Sequence, residues 1–200
     1  GAGAYTAYAL RSDGTAWAWG DNYAGQLGNG TTTNSPTPVQ ISALTSPSAI
    51  SASGLTGYAL RSDGAARAWG ANNAGQLGNG TTTNSSVPVT VSGLTGVSAI
   101  AARGDGATGY ALRSDGTAWA WGFNHDGELG NNSTINSAVP VPVSTTTGLT
   151  GVNAIAGGGR SGYALRSDGT VWAWGDNLYG QLGNNNTPTD SLVPVQVNGA

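Results

Sequence analysis

His125, Asp126 and Glu128 lie within four residues of one another, and the chain has no other His and no other Glu. A carboxylate beside an imidazole can orient a general base, and three such groups in one loop can begin a metal site. The rest of either machine is missing. There is no second His and no Cys, so neither a zinc tetrahedron nor a thiol nucleophile can be assembled. No Ser or Thr stands in a pattern that pairs it with this one imidazole as nucleophile and base. The Asp/Asn/Gly-rich loops raise calcium, yet they carry neither Asp-x-Asp-x-Asp-Gly with a downstream Glu nor the Gly-Gly-x-Gly-x-Asp nonapeptide. The expectation is a chain with no catalytic residues, no cofactor and no metal.

Other residue classes recur too regularly to be sites. Arg11, Arg61, Arg113 and Arg166 each stand two residues before an Asp. They would make an anion-binding ring, but the identical setting of all four reads as a contact across a hairpin. Asn22, Asn72, Asn124 and Asn177 each precede Gly-Gln-Leu-Gly or Gly-Glu-Leu-Gly. Such Asn side chains satisfy loop backbone groups, and the glycines permit positive φ. Seven Trp residues are expected to fill the space between stacked elements, each burying roughly 200 Å².

Composition narrows the classes further. Seven Arg, no Lys and ten acidic residues leave a net charge of −3. Nucleic-acid binders carry a basic stripe, so nucleic acid is not an expected partner. No apolar run approaches the length of a membrane-spanning helix, and no membrane insertion is expected. Gly, Ser, Thr and Asn make up close to half the chain. That composition would read as disorder without the Trp, Tyr and evenly spaced Val, Ile and Leu.

The spacing comes from an internal repeat, whose period has to be found before any fold is assigned. Tyr-Ala-Leu-Arg-Ser-Asp-Gly begins at Tyr8, Tyr58, Tyr110 and Tyr163. Each copy is followed by a block ending in Trp-Gly (Trp19, Trp69, Trp121, Trp174), then by the Gly-Gln/Glu-Leu-Gly block, an Asn/Thr/Ser tract and a Pro-Val segment. An Ala-Ile block recurs at Ile50, Ile100 and Ile155. The repeats run approximately 1–50, 51–100, 101–155 and 156–200 within a single array. Asp-Gly between two alternating segments is a strong hairpin signal. Tyr8 and Leu10 share one strand face, and so do Trp17 and Trp19. Of that last pair the second Trp should be the more buried in every repeat, because Arg67 takes the first place in repeat two. The Pro-Val segment reads as a third strand with Pro at its start, and Ala-Ile as a fourth. The fold class is all-β, a β-propeller of four tandem four-stranded blades of about 50 residues. It is a partial propeller, or part of a larger or oligomeric ring.

These blocks resemble the regulator-of-chromosome-condensation repeat. Ala9-Leu10, Asp13-Gly14, Trp19-Gly20 and Asn22 through Gly28 carry its hallmark, and the other repeats match in register across essentially the whole chain. The resemblance implies a propeller that usually closes with seven blades, where this chain has four repeats. The near-identical, Lys-free copies are similar to bacterial members of the family, which implies a secreted or cell-surface location. The Gly-Trp-Arg-His-Thr segment of the family's ultraviolet photoreceptor is absent. Repeat one lacks its own Ala-Ile strand, and nothing follows Val197 to begin another repeat, so the array reads as a segment of a longer one or as one completed by a second chain.

Function on a propeller lies in loops that differ between repeats. After Trp-Gly the variable positions include Tyr23, Asn73, Phe123, His125, Asp126, Leu178 and Tyr179. Before the Tyr-Ala-Leu strand they are Tyr5, Leu55, Arg103, Asp105 and Arg160. Exposed aromatic residues mark binding hot spots. The candidate partner-binding residues are Tyr5, Tyr23, Asn73, Arg103, Phe123, His125, Asp126, Arg160, Leu178 and Tyr179. The functional expectation is a non-enzymatic scaffold that recognises a protein or glycan partner. The alternative is a self-assembling structural segment of a larger secreted or surface protein, associating through its open end blades.

Overall fold

A computed structural model describes residues 5–102, 104 and 107–199, and among these there are strands and no helix. The strands form four antiparallel sheets in series. Blade 1 comprises β1 (Thr6–Leu10), β2 (Ala16–Gly20) and β3 (Ser35–Gln40). Blade 2 comprises β4 (Pro47–Ala52), β5 (Thr56–Arg61), β6 (Ala66–Gly70) and β7 (Ser85–Thr90). Blade 3 comprises β8 (Val97–Ala102), β9 (Thr108–Arg113), β10 (Ala118–Gly122) and β11 (Ser137–Pro142). Blade 4 comprises β12 (Val152–Gly157), β13 (Ser161–Arg166), β14 (Val171–Gly175) and β15 (Ser191–Gln196).

Each sheet follows chain order, with neighbouring strands in sequence paired. The Ala-Ile strand therefore opens a sheet: Ile50 pairs with Ala59 and Ile155 with Ala164. Blades are thus offset from the sequence repeats, and the sheet of blade 1 has three strands among the described residues. The Ala-Ile strands β4, β8 and β12 contact one another in succession, which makes them the innermost strands of the array.

The Asp-Gly hairpins form as their residues require. Gly14, Gly64, Gly116 and Gly169 all have positive φ. The Arg–Asp pairs bridge the same turns, at 3.3 Å for Arg11–Asp13 and 2.8 Å for Arg166–Asp168. Pro38 departs from the expected place at the start of its strand: β3 begins at Ser35 and Pro38 is its fourth residue. Two features allow this. β3 is an edge strand, and Pro38 falls where the β2–β3 register shifts between Ala18 and Gly20. A missing N–H there costs no ladder bond.

Burial follows the Trp register in three blades. Trp69, Trp121 and Trp174 are fully buried, whereas Arg67 and Trp119, two residues before the first two of them, are half-buried. Blade 1 differs, with Trp17 and Trp19 both only half-buried. Tryptophan packs between blades. The Trp69 indole donates to the Gln26 carbonyl of blade 1 at 2.9 Å and meets the Tyr8 ring edge-on at 6.0 Å. Tyr8 donates its hydroxyl to that same carbonyl at 2.6 Å. The motif repeats with Tyr58, Gln76 and Trp121, and with Tyr110, Glu128 and Trp174. Burial pushes the pKa of the Tyr8 and Tyr58 hydroxyls well up, so both stay protonated donors.

Candidate interaction surface

The loops after β2, β6, β10 and β14 are built around one buried Asn each. Asn22 donates to the carbonyls of Thr31 and Thr33 and accepts from the Leu27 amide at 2.8 Å. Asn72, Asn124 and Asn177 make the corresponding bonds. These Asn side chains are structural, as their uniform sequence setting indicates. The following Gln holds the loop from the other side: the Ala24 amide donates to Gln26 Oε1 at 2.9 Å. Blade 3 substitutes Glu128, which is fully buried and accepts from the Asp126 amide at 2.8 Å.

With the frame fixed, the repeat-variable residues project from it. In blades 1, 2 and 4 backbone bonds join the two variable sets, Asp21 N to Tyr5 O, Ala71 N to Leu55 O and Asp176 N to Arg160 O, each at 3.0 Å, and in blade 3 Phe123 N makes the corresponding bond to Ala107 O at 2.7 Å. Both sets therefore share one rim, opposite the Asp-Gly hairpins. The first variable set follows strands that end there, and the second precedes strands that start there. Between blades the rim is tied by Gly54 N to Gly104 O and Gly104 N to Gly158 O.

Tyr5, Tyr23, Leu178 and Tyr179 are 74%, 63%, 56% and 87% exposed. Asn73 is also exposed. Phe123 is half-buried and stacks on His125, their ring centroids 6.1 Å apart. His125 Nδ1 lies 3.3 Å from Asp126 Oδ1, and Arg160 Nη1 of blade 4 lies 3.3 Å from Asp126 Oδ2. The Phe123–His125–Asp126–Arg160 set thus spans two blades. The sequence offers one signal for this contact, the opposite charges of Asp126 and Arg160 in the two variable sets. Arg103 and Asp105 lie outside the described residues. Among the described residues no group of three His, Cys, Asp or Glu side chains is placed to hold a metal ion, and no helix is long and apolar enough to cross a membrane.

Comparison with known proteins bears on this architecture. The model of the regulator of chromosome condensation (RCC1) repeat matches residues 13–55, 63–106, 115–165 and 168–200. The chain belongs to the RCC1-repeat family. RCC1-repeat relatives include the ultraviolet-B receptor UVR8 of Arabidopsis thaliana, 31% identical over 98% of this chain and 45% of its own length. The mitochondrial RCC1 domain-containing protein RUG3 of the same plant is 34% identical over 44% of this chain and 19% of its own. Human WBSCR16 superposes with a TM-score of 0.86 at 26% identity, over 98% of this chain and 51% of that one. Yeast RCC1 (Prp20), solved bound to Kap60, gives 0.84 at 19% identity over 99% and 48%, which is a likeness of fold. The RCC1-repeat array described here spans about half the length of these solved propellers, and less than half of the curated relatives.

Proposed function

We propose that this RCC1-repeat array is a non-enzymatic scaffold that binds a protein partner through the rim carrying Tyr5, Tyr23, Phe123, His125, Arg160, Leu178 and Tyr179. The observation that supports the reading most is the convergence of both repeat-variable loop sets on one rim, with large apolar side chains held out in solvent. Exposed Tyr, flanked by Arg and a rigid frame, is the composition of a protein-recognition hot spot. Yeast RCC1 is itself bound to Kap60 in a solved structure, which fits a binding role for the fold. An extracellular or surface setting belongs to the same proposal, supported by the lysine-free, near-identical repeats.

Photocrosslinking tests it. A benzoylphenylalanine placed at Tyr23 or Tyr179 should give a discrete protein adduct in extract of the source organism. Excess unmodified chain should compete it away, and a Tyr23→Ser/Tyr179→Ser chain should not. The same probe at exposed Ser114, in the opposite hairpin, should give none. Equal adducts from both positions would sink the proposal. Glycan-array binding that the double substitution abolishes would replace the protein partner by a carbohydrate.

A further inference from the structure

The outermost strand of every blade carries a sequence that favours pairing with another chain. β3, β7, β11 and β15 each lie at the edge of their sheet. Three of them open segments that are Val-rich and uncharged: Ser-Ser-Val-Pro-Val-Thr-Val from Ser85, Ser-Ala-Val-Pro-Val-Pro-Val from Ser137 and Ser-Leu-Val-Pro-Val-Gln-Val from Ser191. Val87 and Val139 are 40% and 44% exposed. But for its prolines, such a segment is a template for strand addition, because an edge presents unpaired N–H and C=O groups. Lysine commonly blunts an edge of this kind, and this chain has no Lys.

Three features occupy the edge instead. The first is proline. Val91 N donates inward to Ala66 O, and Ile41 N, Val143 N and Val197 N donate inward to Ala16 O, Ala118 O and Val171 O. Main-chain groups alternate in direction along a strand, so the residue three places earlier turns its N–H outward. That residue is Pro38, Pro88, Pro140 or Pro194, and proline has no N–H to offer. The second feature is serine. Ser35, Ser85, Ser137 and Ser191 each donate their hydroxyl to the carbonyl two residues on, at 2.6–2.7 Å. In blades 2 and 3 the same oxygen lies 3.4 Å from the amide of that residue, so one side chain covers both of its main-chain groups. The third feature is the preceding blade. Its loop donates Gly30 N to Ser86 O, Gly80 N to Ala138 O and Asn132 N to Leu192 O, at 2.8–2.9 Å.

We propose that the Ser-x-Val/Thr-Pro segment closes the outer edge of each blade to strand addition, so that the perimeter does not pair with extended chains, a second copy of this one among them. On β7 the three features take consecutive groups that an incoming strand would need: the Ser86 carbonyl, the Val87 carbonyl and the amide position of Pro88. Serine and proline keep their places in all four blades, while the residue after the serine changes from Pro36 to Ser86, Ala138 and Leu192. The pattern therefore follows the main-chain chemistry of the edge rather than side-chain packing beside it. It holds whatever the rim binds.

Opening one edge gives the test. Ser85→Ala/Pro88→Thr restores an outward N–H and frees the Val87 carbonyl. In sedimentation velocity at rising concentration this variant should associate beyond the wild-type chain in the same buffer, its mass moving toward about twice 19.8 kDa. The infrared band of intermolecular β-pairing should grow with it. Adding Val87→Lys, a charge at an exposed site on the same edge, should return the variant to wild-type sedimentation. Gly57→Ala would press a Cβ on the interior Trp69 indole. It perturbs the fold without opening an edge and should sediment as the wild type does. A double variant that sediments as wild type, association that survives Val87→Lys, or equal association of Gly57→Ala overturns the proposal.

Discussion

A tryptophan in this fold works only because a glycine stands beside it. The Trp69 indole lies where a Cβ on Gly57 would be, and Gly57 has no positive φ requirement, so space alone selects glycine there. Gly57→Ala should therefore destabilise through overpacking, by about 1–3 kcal/mol. A urea midpoint that does not move would show that the sheet yields to the methyl. This pairing was not legible in the sequence. Nothing local in the Thr-Gly-Tyr and Ser-Gly-Tyr segments tells which indole covers the glycine. The burial of Trp69 itself was legible, from the Arg67 that occupies the other Trp position.

The hairpin is the element whose chemistry depends on pH. Asp115 accepts from the Thr117 hydroxyl at 2.6 Å and from the Thr117 amide at 3.0 Å. The hydroxyl bond is the largest cause holding the Asp115 carboxyl below its ordinary value, with the Arg113 charge a smaller one. Asp13 and Asp168 are held down in the same way by Thr15 and Thr170. A carboxyl with a depressed folded pKa stabilises above its unfolded pKa, and that contribution disappears as pH falls through the folded value. Thr117→Ala should return the Asp115 pKa toward 3.8, read by carboxyl carbon NMR, and should shrink the acid-side loss of stability. An unchanged titration would assign the shift to Arg113 instead. At this scale the sequence was informative about turns and strands, because Asp-Gly and two-residue alternation are local signals. It was less informative about β3, where Pro38 sits mid-strand because of a register shift made with β2. The shared rim was hidden for the same reason. Bonds such as Asp21 N to Tyr5 O join residues far apart in sequence, and each variable set taken alone has no direction.

The whole molecule is a linear array in which each blade touches its neighbours, so its cooperativity resides in the junctions. Trp121 forms the middle one, joining blades 1 and 2 to blades 3 and 4 through the Gln76 carbonyl and the Tyr58 ring. Two consequences follow from truncating it. The cavity left by a fully buried indole costs about 3–5 kcal/mol. The remaining contact no longer couples the two halves firmly, so they should unfold over different ranges of denaturant. In dilute solution the urea transition of Trp121→Ala should thus lose steepness, an apparent fall in the m-value that marks departure from two-state behaviour. Hydrogen exchange should then assign separate opening free energies to the two halves. Among the described residues the Trp19 indole makes no junction bond of the kind that Trp69, Trp121 and Trp174 make, so Trp19→Ala should keep the wild-type slope. If Trp121→Ala shifts the midpoint and keeps the wild-type slope, stability is shared across the array rather than held at its junctions.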